Sequence, residues 1–332
     1  MRIAVTVCTR ERPELLRACM DSLLSQEIPA GLSLSIVIVE NDEIARCAGM
    51  VSELARTSHI PIHYAHESRL GIPIARNRAL SLALKQQPDW IAFIDDDETA
   101  APNWLVNFHH VARSLTCDVL QGPVEPVYSN APPSWLPVER RKCQPTGRKL
   151  RTAATSNTFM RAHLAAEGGL NLRFDERMRF TGGSDNDYFY RAAALGARIC
   201  WSNETLVYER VPQVRMTLRW QLARSMRVAA NTVAMQKLRS GPLSAAAKYA
   251  PKYAGRLVWG LLMTPLSAPA AMLGGPGQRL LVSRLQDLAS ACGGIGAFFG
   301  FQPQPYSVID RHPPLWTTTD SPGSGVPSAS RQ

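Results

Sequence analysis

Four consecutive acids, Asp95, Asp96, Asp97 and Glu98, close an apolar run in the stretch PDWIAFIDDDETAAPNW. Asp95 and Asp97 can offer two carboxylates to one hard cation. Mn²⁺ and Mg²⁺ take oxygen ligands and commonly share one or two carboxylates with substrate phosphates. A cation held that way neutralises charge developing on a departing diphosphate. A solvated acidic loop or a helix cap would use the same residues, but the apolar strand before the acids and the basic chain around them favour the metal. No His or Cys cluster offers a competing transition-metal site. A second acidic group, Asp185 and Asp187 in GGSDNDYF, opens a predicted helix that Ser184 or Asp185 could cap.

The acids need a scaffold that brings loop residues to one edge, and the pattern before them provides it. RIAVTVCT, LSIVIVEND, IPIHYAHE and WIAFIDDDE read as strands. Between them, ELLRACMDSLLSQ, ARCAGMVSELARTS and PIARNRALSLALKQQ carry helical spacing. Strands apolar on both faces suit a parallel sheet covered by helices, and this alternation predicts a doubly wound α/β sheet. In such sheets ligands bind beyond the carboxyl ends of the strands. Each strand tip here is polar. Further on, WLVNFHHVARSL reads as a helix, CDVLQGPVEPVY as a strand, and TSNTFMRAHLAAEGG as a strand entering a helix. GGSDNDYFYRAAALGARICW reads as a capped helix and then a strand. The Pro-rich, basic stretch from Ser129 to Leu150 reads as a loop.

The 332 residues suffice for one large domain or two ordinary ones, and 45% apolar residues are normal for a globular chain. The net charge of +10 points to an anionic partner. Without an aromatic-studded basic motif, composition does not favour nucleic acid. Seven scattered cysteines, none in a Cys-x-x-Cys pair, argue against a disulfide framework and for a reducing compartment. The N-terminus makes a poor signal peptide, because Arg10, Glu11 and Arg12 interrupt its apolar stretch.

Taken together and in order, VTVCTRERPELLRACMDSLLSQ, IVIVEND, GIPIARNRAL, WIAFIDDDE, TSNTFMR, FDERM and GGSDNDYFYR resemble the inverting family-two glycosyltransferases of GT-A fold. The likeness is to the bacterial exopolysaccharide type and covers roughly residues 1–210. It implies an α/β, mostly parallel GT-A sheet that binds a nucleotide-diphospho-sugar, with UDP the expected nucleotide, and uses Mn²⁺ or Mg²⁺. Thr9, Arg10 and Arg12 at the first strand tip, and Glu40, Asn41 and Asp42 at the second, are the implied contacts to base and ribose. Glu40 stands where the family usually has Asp. Arg76 and Asn77 are implied to contact the nucleotide, and an Arg fork matches phosphate oxygens. Asp95 would face ribose or metal, Asp97 would be the direct metal ligand, and Asp96, grouped with the donor-binding residues, would point away or cap. Asp185 matches the general base, with Asp187 in reserve, although Ser184 replaces the family's preceding Glu. Asn157 matches a position lining the site, and Trp135 on the Pro-rich loop offers a ring for a sugar to stack on. These two are the acceptor candidates. Met216 stands where processive members carry the Gln of Gln-x-x-Arg-Trp, which favours adding one sugar.

The expected organisation is a catalytic domain over residues 1–213, a basic and apolar helical region over 214–300, and a disordered Pro/Ser/Thr-rich tail over 301–332. Arg215, Arg219, Arg224 and Arg227 fall on one predicted helix, which reads as a membrane-surface element or phosphate binder. Leu257 to Gln278 carries no charge. A membrane span, a re-entrant or interfacial hairpin, and a buried helical pair all remain open for it. Either membrane arrangement fits a lipid-linked oligosaccharide acceptor, and the resemblance implies the cytoplasmic face of a bacterial inner membrane. Two other functions stay in view. A non-catalytic sugar-nucleotide-binding or scaffold protein would account for the missing Glu. A nucleotidyltransferase would need a Gly-rich loop after the first strand, where CTRERPELL has none.

Overall fold

The computed structural model describes residues 1–138 and 141–303. The first half alternates as expected: β1 (Arg2–Thr9), α1 (Pro13–Leu24), β2 (Ser33–Glu40), α2 (Ala48–Thr57), β3 (Ile62–His66), α3 (Ile72–Lys85) and β4 (Trp90–Asp95). There follow β5 (Glu98–Ala100), α4 (Trp104–Ser114), β6 (Val119–Gln121), β7 (Val124–Tyr128), β8 (Lys149–Leu150) and β9 (Thr158–Arg161). The described chain ends with α5 (Ser184–Ala194), β10 (Ile199–Trp201), β11 (Val207–Val211), α6 (Leu218–Ser267) and α7 (Gly275–Phe298).

The main sheet runs β3-β2-β1-β4-β9-β6-β10-β8. Its first four strands are parallel, and β9 enters antiparallel between β4 and β6. Val5, Val7, Ile36, Ile38 and Trp90 fill the core on one face, while Ala4, Val37, Val39 and Phe93 fill the other. β1, β2 and β4 are buried on both faces, which explains their continuous apolar sequences, while the edge strand β3 is only half-buried. The chain runs outward from β1 to β3 and then returns to the far side of β1 as β4. That reversal opens a crevice between the carboxyl ends of β1 and β4, where doubly wound sheets bind ligands.

Several expectations are corrected. CDVLQGPVEPVY is two strands in two sheets, because β6 joins the main sheet and β7 joins a small sheet ordered β5-β11-β7. Gly122 and Pro123 separate them. After β9 the predicted helix is only a short 3₁₀ turn, Ala162–Leu164. Cys117 and Cys200 form a disulfide against the reducing expectation. They lie 83 residues apart, but β6 and β10 are neighbouring strands.

The helical region is a hairpin with its own small core of Ala229, Ala230, Val233, Tyr253 and Ala297. α6 is two helices meeting at Gly241, whose φ of 82° and ψ of 166° break the helical path. The charge-free stretch closes α6, makes a 3₁₀ turn at Pro269–Leu273 and opens α7. Among the described residues no helix is long and apolar enough to cross a membrane. Beyond residue 303, the expected tail lies outside the described residues.

Candidate active site

The acid turn after β4 sends each carboxylate to a different task. Asp95 faces the crevice with its side chain 45% exposed, and its Oδ1 lies 3.7 Å from Nη2 of Arg76. Asp96 turns inward, where its Oδ2 accepts from the Thr9 hydroxyl at 2.8 Å and its Oδ1 from Arg12 at 3.2 Å. Asp97 meets Arg12 at 3.5 Å and Arg215 at 3.2 Å, both at Oδ2. Glu98 is buried and accepts the backbone N–H of Asp95 at 3.0 Å, which fixes the turn.

Crowded, sheltered carboxylates resist ionising. Asp95 is pushed up to about 7, first by enclosure, with Asp97, Asp96 and Asp185 adding to the rise and Arg76 opposing it. Its exposure to the crevice lets water moderate that rise. Burial pushes Asp96 up to about 6 against the pull of Arg12. Glu98 rises well above the carboxylate range through burial and its neighbour Asp95.

Arg76 enters the crevice from the first turns of α3. Besides Asp95 it reaches the buried Ser184 hydroxyl at 3.5 Å, the outer limit of a hydrogen bond, and its guanidinium lies 5.7 Å from the Phe174 ring centroid. It thereby links the acid turn to the N-terminus of α5. Gly182 and Gly183 precede that helix with φ of 79° and 88°, a left-handed path that side chains disfavour. They swing the chain so that Asp185 opens α5 on the same crevice. Its Oδ1 accepts from the adjacent Asn186 N–H at 2.8 Å. Arg76, Asp95, Thr155, Ser156, Ser184 and Asp185 line one cavity of about 180 Å³.

The structure separates other candidates from this cavity. Asp187 points to the far side of α5, where it binds Arg191 at 2.8 Å and lies 3.7 Å from Arg239 of α6. It ties helices together. Asn157 is fully buried: it accepts from the Trp104 indole at 2.8 Å and donates to the Pro123 and Thr205 carbonyls at 2.7 and 2.5 Å. Those bonds use up the side chain in joining the two sheets, so no acceptor can reach it. Asn77 is likewise occupied, donating to the Phe174 carbonyl and accepting its N–H at 2.9 and 2.8 Å.

At the second strand tip, Glu40 is fully buried and caps α2 by accepting the Arg46 and Cys47 N–H groups, with Tyr64 donating at 2.6 Å. Asn41 clamps the next loop through Glu67, Arg69 and Gly71. Asp42 binds its own loop at Glu43 N and Arg46. This tip shapes the rim of the site through internal bonds. Arg10 is half-buried just past β1, and Trp135 is half-buried beside Ser134 on the Pro-rich loop.

Arg215 was missed at this site. The spacing suggests that it begins a helix, but the structure puts it on a 3₁₀ turn, Gln213–Met216, where it pairs with both Glu209 and Asp97. The available signal is Thr217, whose hydroxyl accepts from Trp220 N–H and so caps α6 after Arg215.

The model of the glycosyl transferase family 2 matches residues 4–166. The succinoglycan biosynthesis protein ExoM of Rhizobium meliloti (strain 1021) is 31% identical over 230 residues, covering 68% of this chain and 72% of that protein. The chain belongs to glycosyl transferase family 2. Solved glycosyltransferases share its GT-A fold. Staphylococcus aureus TarS 1–349 in complex with UDP superposes with a TM-score of 0.51 at 16% identity, covering 91% of this chain and 92% of that one. The mannosyltransferase PcManGT of Pyrobaculum calidifontis, in complex with GDP-Man and Mn²⁺, gives 0.55 at 16%, covering 88% and 86%. The matched family segment of this glycosyltransferase contains β1 to β4 and the acid turn. The Asp185 corner follows it.

Proposed function

We propose that this glycosyltransferase is an inverting, metal-dependent enzyme that moves one sugar from a nucleotide-diphospho-sugar to a lipid-linked acceptor, for a bacterial cell-surface polysaccharide. UDP is the expected nucleotide. The observation that carries this reading is the shared cavity: Asp95, Arg76 and Asp185 converge on it from three elements. At about 180 Å³ it is smaller than the roughly 300–1,000 Å³ of whole small-molecule sites. It suits the sugar, with the diphosphate at the acid turn and the nucleoside extending toward the β1 and β2 tips.

Among the described residues no three His, Cys, Asp or Glu side chains converge as a ready-made metal cage. The donor set still fits a hard cation that brings its own phosphate ligands. Asp95 is open to the crevice, and both guanidinium contacts of Asp97 fall on Oδ2, so Oδ1 is the oxygen a cation would take. A bound Mn²⁺ or Mg²⁺ would neutralise charge on the leaving diphosphate. Arg76 lies near enough to the same corner to hold a phosphate oxygen. Asp185 takes the proton from the acceptor hydroxyl as that oxygen attacks the anomeric carbon opposite the diphosphate. One in-line displacement needs one base, and it inverts the centre.

The similarity to ExoM, a succinoglycan biosynthesis protein, supports an exopolysaccharide product, and the location that we propose is the cytoplasmic face of the inner membrane. The test is to incubate the purified chain with Mn²⁺ and a panel of nucleotide sugars and follow release of the nucleoside diphosphate by mass spectrometry. One donor should turn over, and manganese removal should stop it. UDP binding without turnover of any donor would support a non-catalytic binding protein.

A further inference from the structure

The chain's charge is divided unevenly. Residues 214–300 contain eleven Lys and Arg against a single acid, Asp287. That difference equals the whole net charge of +10, so the rest of the chain is balanced. Asp287 is itself engaged, lying 3.2 Å from Arg284 and 3.9 Å from Arg256. Before the Gly241 break, Arg215 pairs with Asp97 and Glu209 and Arg239 lies near Asp187, whereas after it Lys248 and Lys252 are exposed.

The same region exposes apolar side chains in an ordered way. After the Gly241 break, α6 turns Ala245, Tyr253 and Gly260 inward, where a Cβ on Gly260 would lie 2.6 Å from Leu288 of α7. Its outer face runs Lys248, Lys252, Gly255, Trp259, Leu262 and Leu266, all exposed, at alternating spacings of four and three. That spacing is one helical stripe. Lysines occupy its first part and large apolar groups its second: Trp259 is 50% exposed, Leu262 62% and Leu266 70%. The turn at the hairpin end continues the apolar surface with Met272 and Leu273, 89% and 85% exposed. Soluble chains rarely leave a contiguous apolar patch of this kind without a partner.

We propose that this outer face of the α6–α7 hairpin docks the protein on an anionic lipid bilayer, lying in the interface plane without crossing it. This deepens the membrane partner named above and does not depend on the transfer chemistry. Two observations select lipid over a second copy of the chain. Lys248 and Lys252 on the stripe, with Arg256 and Arg279 at its borders, suit a negative surface, whereas two identical basic faces would repel each other. Leu257 to Gln278 also lacks any polar charge that would mark a protein rim, while Arg256 and Arg279 flank it like the basic borders of an interfacial helix. From Leu257 to Ser267 the uncharged end of α6 is ~15 Å long, enough to lie in the headgroup and acyl boundary but far short of a ~30 Å bilayer core.

Docking there also reaches the Pro-rich loop. Ser134 donates to Gln278 at 2.9 Å, and Arg279 donates to the Ser134 carbonyl at 2.8 Å. Trp135 is the next residue, so the loop that carries it is fastened to the lipid-facing end of the hairpin.

The test is co-sedimentation of the full chain, without donor or metal, with vesicles of phosphatidylcholine alone or with 30% phosphatidylglycerol. Binding should require the anionic lipid and weaken at least tenfold between 50 and 500 mM NaCl. Lys252→Ala should weaken it roughly fivefold. Leu262→Glu with Leu266→Glu should abolish it while the melting temperature and donor hydrolysis stay unchanged, because both positions are exposed. Brominated lipid should quench wild-type fluorescence more than that of Trp259→Phe. Equal binding to neutral vesicles, retention by the double Glu variant, or a dimer in solution that this variant dissociates would each overturn the proposal. Loss of hydrolysis with vesicle binding intact would count against the transfer reading alone.

Discussion

Arg215 lies 3.2 Å from the carboxylate of Asp97, although 118 residues separate them. The pair joins the 3₁₀ turn ahead of α6 to the acid turn after β4. A guanidinium on that carboxylate competes with any cation for the same negative charge. In Arg215→Gln the competition is lost, and Mn²⁺ affinity without nucleotide should rise about fivefold, the scale of one partly exposed ion pair. Electron paramagnetic resonance of free Mn²⁺ measures it, and an unchanged or weakened affinity would show that Asp97 is not a ligand.

Asp185 and Asp187 differ in surroundings, and this separates their predicted effects. Asp185→Asn should lower transfer by about 10³-fold, within the range for a lost general base, with donor affinity within twofold of wild type. Asp187→Asn should leave the rate per folded molecule nearly intact but destabilise the protein by about 1–2 kcal/mol, since Arg191 and Arg239 lose a largely buried partner. Initial rates paired with urea unfolding distinguish the two. A rate collapse in Asp187→Asn with normal stability would reverse the assignment.

Protons would compete with the proposed metal at the acid turn. Asp95 is raised to about 7 and Asp96 to about 6, so both sit above their unfolded-chain values. For groups raised in the folded state, the stabilisation is complete below the unfolded value and lost as pH climbs through the folded one. The metal-free protein should therefore lose stability between about pH 4 and 7 from these groups. Mn²⁺ binding runs the other way, because its ligands must be ionised. The rise in melting temperature on adding Mn²⁺ should be small at pH 5.5 and larger at pH 8. Equal rises at both would indicate that Asp95 is ionised throughout.

Asn157 tests whether a buried polar node was mistaken for a binding residue. Asn157→Ala removes three hydrogen bonds and leaves the Trp104 indole and two carbonyls without that partner. Denaturant unfolding should show a loss of about 3 kcal/mol. Unchanged stability with a raised acceptor KM would restore the acceptor role.

The first half of the fold was legible because β1, β2 and β4 are buried on both faces and helices alternate with the strands, so period and punctuation agree from Arg2 to Asp95. The second half was harder. β6, β7 and β9 are short, and their neighbours in space are distant in sequence, as with Cys117 and Cys200. At the site, residue types identified the polar strand tips but not the direction of each side chain. Glu40, Asn41 and Asn77 have the chemistry of ligands, yet their atoms are used in closing loops. The convergence of Arg76 on both Asp95 and Ser184 depends on packing of α3 against the turn before α5, which residue order does not display.

The small sheet has a consequence of its own. β11 is hydrogen-bonded to β5, the strand that leaves the acid turn, and the 3₁₀ turn after β11 leads directly into α6. The route from the acid turn to the long helix is thus a few residues of braced backbone. A helix resting on lipid would act as a ruler, setting the height of the reacting sugar above the surface. Acceptors whose first sugars stand at that height would be reached, and longer or shorter stems would pass above or below the chemistry.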